Sequence, residues 1–212
     1  MRVLIIAVLS FFAVSASAQD GSRPVLSTSG NADFAGPYFG LSVGAFRSDF
    51  SRNSCCPGPE DYRAEPAISA NLGYNWIFDN TLIGVETDFT LTSVAAEKNA
   101  AFGFGPVEHH QHASMRARAG FFASEGTLLY GTAGIGWLNV DFGGDSKWVS
   151  GAIAGVGVES ASFAERIGIP GWRIKAEALF QHAEETEFSQ FGTSVYSASD
   201  NYIFRIGLNK RF

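Results

Sequence analysis

Apolar and polar residues alternate with a period of two along most of this chain. The last twelve residues show the pattern well. Tyr202, Phe204, Ile206, Leu208 and Phe212 share one face; Ile203, Arg205, Gly207, Asn209 and Arg211 share the other. Only Lys210 interrupts the apolar face, and a lysine near a membrane interface can run its stem along apolar surface and keep its amine in water. A strand of this kind suits a wall between lipid and a polar interior. Seven earlier segments repeat the period: Tyr38 to Phe50, Ala67 to Ile77, Leu82 to Ser93, Gln111 to Ala123, Thr127 to Val140, Trp148 to Ala161 and Trp172 to His182. In the second, Ile68, Ala70, Leu72, Tyr74 and Trp76 oppose Ser69, Asn71, Gly73 and Asn75. The pattern predicts an all-β fold, an eight-stranded antiparallel transmembrane up-and-down β-barrel over residues 36–212.

The connections support an even strand count with both ends on one side. Phe78–Thr81, Ser124–Gly126 and Ser162–Gly171 are short or moderate. Ser51–Glu65, Val94–His110, Asp141–Lys147 and Ala183–Ser199 are longer and more polar. Short periplasmic turns and longer external loops are the habit of outer-membrane barrels.

The first eighteen residues read as a signal peptide. Arg2 supplies the positive end, Val3 to Val14 an apolar core interrupted only by Ser10, and Ala16-Ser17-Ala18 the small-residue cleavage pattern. The core is shorter than the roughly 18 apolar residues of a spanning helix. Residues 19–35 are polar and without period, a periplasmic lead-in. Without Arg2 the chain carries 14 Lys and Arg against 21 Asp and Glu, a net charge near −7, which argues against a nucleic-acid partner. The 24 glycines and 14% aromatic residues, with no later helical span, also fit a barrel in the cell outer membrane of a Gram-negative organism. Cys55 and Cys56 are adjacent in a loop-like stretch and cannot staple distant strands. A vicinal disulfide, an intermolecular bridge and labile thiols all stay open.

The same alternation carries charge inward. Glu86, Asp88, Glu159 and Glu177 face the interior with Arg116, Arg118, Arg173, Lys175 and Arg205. Eight strands enclose a space that side chains nearly fill, and charges held there must pair. The expectation is a structural ion-pair network plugging the lumen. Glu86 and Asp88 lie two apart on one face through the pleat alone, so they are not read as a catalytic pair. Trp76, Phe78, Tyr130, Trp137, Trp148, Trp172, Tyr202 and Phe212 fall near strand ends, as interfacial girdles do.

Several stretches resemble one family. Phe34-Ala35-Gly36-Pro37-Tyr38-Phe39-Gly40, Gly84-Val85-Glu86, Arg116-Ala117-Arg118-Ala119-Gly120, Leu129-Tyr130-Gly131-Thr132-Ala133-Gly134, Gly155-Val156-Gly157-Val158-Glu159 and the terminal Arg205 to Phe212 are similar to the Omp25/Omp31-like outer-membrane proteins of alphaproteobacteria. The resemblance spans the mature chain and departs from the family pattern at Pro37 and in the Cys55-Cys56 loop. It implies an OmpA/OmpX-like eight-stranded barrel, and a terminal Phe212 resembling the signal read by the barrel-assembly machinery.

Three functions compete. The first is a structural outer-membrane protein with a charge-plugged lumen, exposed loops and at most small porin-like conductance, its partners outer-membrane lipids and lipopolysaccharide. The second is surface binding of haem, a metal or a host ligand through the loops, with His109, His110 and His112 as candidate ligands, since neutral imidazoles suit transition metals. No fixed spacing completes such a site, and the sequence calls for no cofactor. The third is a barrel enzyme, for which His182 with Ser189 or Ser194 is conceivable, but no motif fixes their geometry. The first reading accounts for the charged interior.

Overall fold

The computed structural model describes residues 31–52, 64–95, 107–142, 145–190 and 193–212. The expected signal peptide, residues 19–30 of the lead-in and the Cys55-Cys56 pair lie outside these residues, as do the side chains of His109 and His110.

Eight strands form a closed antiparallel barrel with neighbours in chain order. They are β1 (Gly36–Arg52), β2 (Glu65–Phe78), β3 (Thr81–Ala95), β4 (Val107–Ser124), β5 (Thr127–Phe142), β6 (Asp145–Ser160), β7 (Arg173–Gln190) and β8 (Thr193–Arg211). The expected fold class holds. Period-two patterning becomes strict alternation of exposed and buried positions along β2. On the outer wall Val156 is 65% exposed and Ile206 63%, while Glu159 on the inner wall is 0% exposed. An exposed apolar surface encircling a buried polar interior is a soluble domain turned inside out, and lipid is the solvent that stabilises it.

At one end the hairpins close tightly, through Asp79-Asn80 and Glu125-Gly126. The third connection at this turn end carries a short helix, α1 (Ala161–Arg166), capped by the Ser160 hydroxyl, which accepts from the Phe163 amide. The barrel closes between β1 and β8, where Tyr38 pairs with Arg211 and Arg52 with Ser197. The Phe212 amide extends this seam by donating to the Pro37 carbonyl at 3.2 Å. Phe39 packs against Phe212 (5.3 Å between centroids) and Trp172 (6.0 Å), and Lys210 lies 5.1 Å over the Trp172 ring.

Three expectations need correction. The Asp141–Lys147 and Ala183–Ser199 loops are largely ladder: pairing continues to Phe142–Asp145 and to Gln190–Thr193. The apolar face ends where lipid ends, but an antiparallel hairpin keeps its backbone hydrogen bonds beyond that point, so hydropathy could not reveal these extensions. β4 likewise begins at Val107, inside the expected Val94–His110 loop. Tyr130, placed in the interfacial girdle, points inward and is buried. The end of the expected lead-in docks on the barrel. Ala32–Phe34 form a single 3-10 turn at the turn end, and Phe34 packs with Leu82, Phe122, Leu128, Tyr130 and Ala161.

The lumen is also less uniformly polar than the alternation implied. Toward the loop end Phe46, Leu138, Val140, Val149, Ile153, Leu179 and Ile203 point inward and form a buried apolar cluster. Each occupies a lumen-facing position, so the strand period holds while the chemistry of the face changes with height. Truncating the centre of this layer removes packing that lipid cannot replace. Leu138→Ala is expected to destabilise the barrel by about 2–5 kcal/mol, well beyond Leu41→Ala on the lipid face. Urea midpoints of the two variants in detergent micelles compare them; equal losses would mean the inward layer is not packed as a core.

Candidate functional site

The ladder register builds the central site. Glu86 on β3 lies directly opposite Arg116 on β4, Glu159 on β6 opposite Lys175 on β7, and Glu177 on β7 opposite Arg205 on β8. Opposite charges directly across a strand pair stabilise the pairing. Here they also project into the lumen, where every member of the network is buried.

From these pairs the network crosses the barrel. Arg116 Nη2 contacts Glu86 Oε1 at 2.6 Å and Asp88 Oδ2 at 3.0 Å, and its Nη1 reaches Glu177 Oε1 on the far wall at 3.3 Å. Arg205 returns the tie: Nη2 to Glu177 Oε2 at 2.6 Å and Nη1 to Asp88 Oδ1 at 3.0 Å. Lys175 Nζ sits 3.1 Å from Glu86 Oε2. Nearer the turn end a second group centres on Glu159, held by Arg118 Nη2 at 2.7 Å, Arg173 Nε at 2.8 Å and the Asn209 amide at 3.0 Å. Arg118 joins the two groups, with Nη1 3.6 Å from Glu86 Oε2. The structure thus brings together all nine charged residues singled out in the sequence.

Neutral donors satisfy the remaining lone pairs. The Tyr38 hydroxyl donates to Glu86 Oε2 at 2.8 Å and the Tyr130 hydroxyl to Glu177 Oε1 at 2.8 Å. The Ser114 hydroxyl donates to Asp88, and Asn71 Nδ2 to Glu86 at 3.3 Å. The Arg118 guanidinium lies 4.3 Å from the Tyr130 ring centroid and 5.5 Å from that of Tyr38. Sequence reasoning missed both tyrosines, though a signal exists. Tyr38 pairs with Gly73 and Tyr130 with Gly157. A Cβ at either glycine would overlap the tyrosine ring folded across it, so an inward Tyr opposite an inward Gly marks a ring lying over the wall.

Other candidates separate. His112 is wholly buried in the lumen, its ring 5.8 Å from that of Phe46. This corrects its place among the loop ligands, because the wall of the barrel stands between it and a surface ligand. His182 is exposed on the outer wall, its Nδ1 2.7 Å from Asp200 Oδ1. The side chains of Ser189 and Ser194 lie outside the described set. Among the described residues no group of three or more His, Cys, Asp or Glu side chains is placed to hold a metal ion.

A closed eight-stranded barrel with a lipid-facing apolar wall and a paired ionic interior defines an integral outer-membrane β-barrel. Residues 4–212 match the outer membrane protein beta-barrel domain, and the chain belongs to that family. It is similar to the 31 kDa outer-membrane immunogenic proteins of Brucella melitensis biotype 1 and Brucella suis biovar 1, each 28% identical across 99% of both chains. The resemblance to Omp25/Omp31-like proteins is borne out. Among solved structures the fold is similar to the outer membrane protein OprG from Pseudomonas aeruginosa, with a TM-score of 0.54 and 9% identity over 84% of this chain and 97% of that one.

Breaking one pair of the network strands its partner in a dry interior. Glu177→Ala leaves Arg205 and Arg116 short of a carboxylate and is expected to cost about 3–5 kcal/mol. The double variant Glu177→Leu/Arg205→Met, which removes charge of both signs, is expected to recover part of that loss. Urea unfolding in micelles measures both; a double variant no better than the single would refute mutual compensation.

Proposed function

We propose that this chain is a structural protein of the outer membrane whose lumen is plugged by its own ion pairs and whose loops face the cell exterior. The observation that carries the reading is the cross-lumen connection: Arg116 and Arg205 each bridge carboxylates on opposite walls, with all four side chains of Asp88, Glu177 and these two arginines at most 1% exposed. A solute passing through would have to displace these bonds and leave buried charges unpaired. Conductance is therefore small at most.

The remaining assignments follow from the same reading. Residues 1–18 direct export, both termini lie in the periplasm, and the loop end faces outward. Phe212, last in the β1–β8 seam, serves as the assembly signal for the machinery that inserts barrels. Lipids of both leaflets contact the wall, with lipopolysaccharide on the outer side. The Brucella relatives are named as immunogenic; carried to this chain, that supports surface exposure of its loops. A loop ligand such as haem would rely on His109 and His110, without His112.

Single-channel recording in planar bilayers tests the plug. The wild-type protein is expected to give no large stable steps, and Asp88→Ala/Glu177→Ala/Arg116→Ala/Arg205→Ala to give larger ones if it still folds. Large open steps from the wild type would sink the reading.

A further inference from the structure

We propose that Asn31–Phe34 is a removable inner stopper of the lumen and that Arg173 is the latch holding it to the ion-pair network. Four contacts seat the segment. Asn31 Oδ1 accepts from the Gly126 amide in the β4–β5 turn at 3.0 Å. The Phe34 carbonyl accepts from Asn75 Nδ2 on β2 at 2.9 Å. The Asp33 carbonyl accepts from Arg173 Nη1 on β7 at 2.6 Å. The Phe34 ring, 0% exposed, packs edge-on against Phe122 at 5.2 Å. Three separate parts of the barrel mouth therefore grip one turn of chain.

Arg173 connects this turn to the network. Its guanidinium carbon lies 4.9 Å from the Phe34 ring centroid and 5.2 Å from that of Tyr38, while Nε reaches Glu159 Oε1 at 2.8 Å. Charge counting shows why this residue needs a separate explanation. The described network holds the carboxylates of Glu86, Asp88, Glu159 and Glu177 and the cations Arg116, Arg118, Lys175, Arg205 and Arg173. Removing Arg173 leaves four cations for four carboxylates, and Glu159 keeps Arg118 and Asn209. The network can spare this arginine. The stopper cannot, because Arg173 supplies both a hydrogen bond to its backbone and a cation over its ring.

The stopper is built to leave without unfolding the wall. It belongs to no strand, and among the described residues it is seated by the Phe34 ring and the hydrogen bonds of Gly126, Asn75 and Arg173. Local openings of this sort cost less than global unfolding. Its departure would expose Leu82, Leu128 and Tyr130 to water from the turn end while the central ion pairs stay formed.

Cysteine accessibility tests the latch. In a Cys55→Ser/Cys56→Ser background, Leu82→Cys lies under Phe34 and is expected to resist a bulky water-soluble maleimide when the barrel is refolded in micelles. Adding Arg173→Gln is expected to speed labelling on the order of tenfold or more, with the folded band retained in unheated gels. Phe34→Ala leaves every charge in place and should have the same effect if Arg173→Gln fails to refold. Equal labelling with and without the latch, or protection persisting in both folded variants, would overturn the proposal. Conductance separates this from the plugged lumen: it should stay small in both variants, and large steps would count against the plug, not against the stopper.

Discussion

The interior of an eight-stranded barrel is too narrow to hydrate charges and too dry to leave them alone. Everything else in this structure is arranged around that constraint. Glu86 with Arg116, Glu159 with Lys175 and Glu177 with Arg205 are direct ladder partners, so the pairs fix strand register as well as neutralise one another. A slip of one residue at any of these strand pairs would turn carboxylates and guanidinium groups toward lipid. The cost of an ion facing hydrocarbon therefore enforces a closure that backbone hydrogen bonds alone, indifferent to a slip of register, would not select.

The rest of the lumen makes that ionic layer tenable. Toward the loop end Phe46, Leu138, Ile153, Leu179 and Ile203 close over it; toward the turn end Phe34, Leu82 and Phe122 do the same. Apolar material above and below lowers the local dielectric, which strengthens each pair and raises the cost of losing a partner. The tyrosines finish the arrangement by giving Glu86 and Glu177 donors that bring no further charge.

The wall was legible in the sequence because lipid and lumen impose opposite demands on neighbouring residues. That is why β2 could be read position by position, and why nine inward charges could be named before their partners were known. Legibility failed where the two demands relax. The Thr186–Ser197 to Gln190–Thr193 pairs continue the hairpin without a continuous apolar face, since Phe188–Val195 lies between polar pairs. Inside the barrel, leucine and isoleucine are as acceptable as serine once water is excluded, so the apolar layer left no contrast to detect. Tyr130 fits either an interfacial belt or a lumen hydrogen bond; only its pairing with Gly157 decides between them. His112 is ambiguous for another reason: it shares the period-two face of the inward Arg116 and Arg118, while its neighbours His109 and His110 suggest a loop.

With the lumen filled, as proposed, the barrel has little chemistry left to perform through its centre. Its interior is committed to stability and its outer wall to lipid. Under that proposal any recognition is left to the loop-end connections, which join strands whose register is set by the ladder and its ion pairs. Changes in those loops would leave the cross-lumen bonds of Arg116 and Arg205 untouched, because these lie on lumen-facing strand positions between the two apolar layers. A frame whose stabilising contacts lie apart from its connections lets those connections vary. The same separation explains the turn end. There Asn31–Phe34 meets the ionic core through Tyr130, a neutral donor to Glu177, and through Arg173, the cation whose loss leaves the charges balanced.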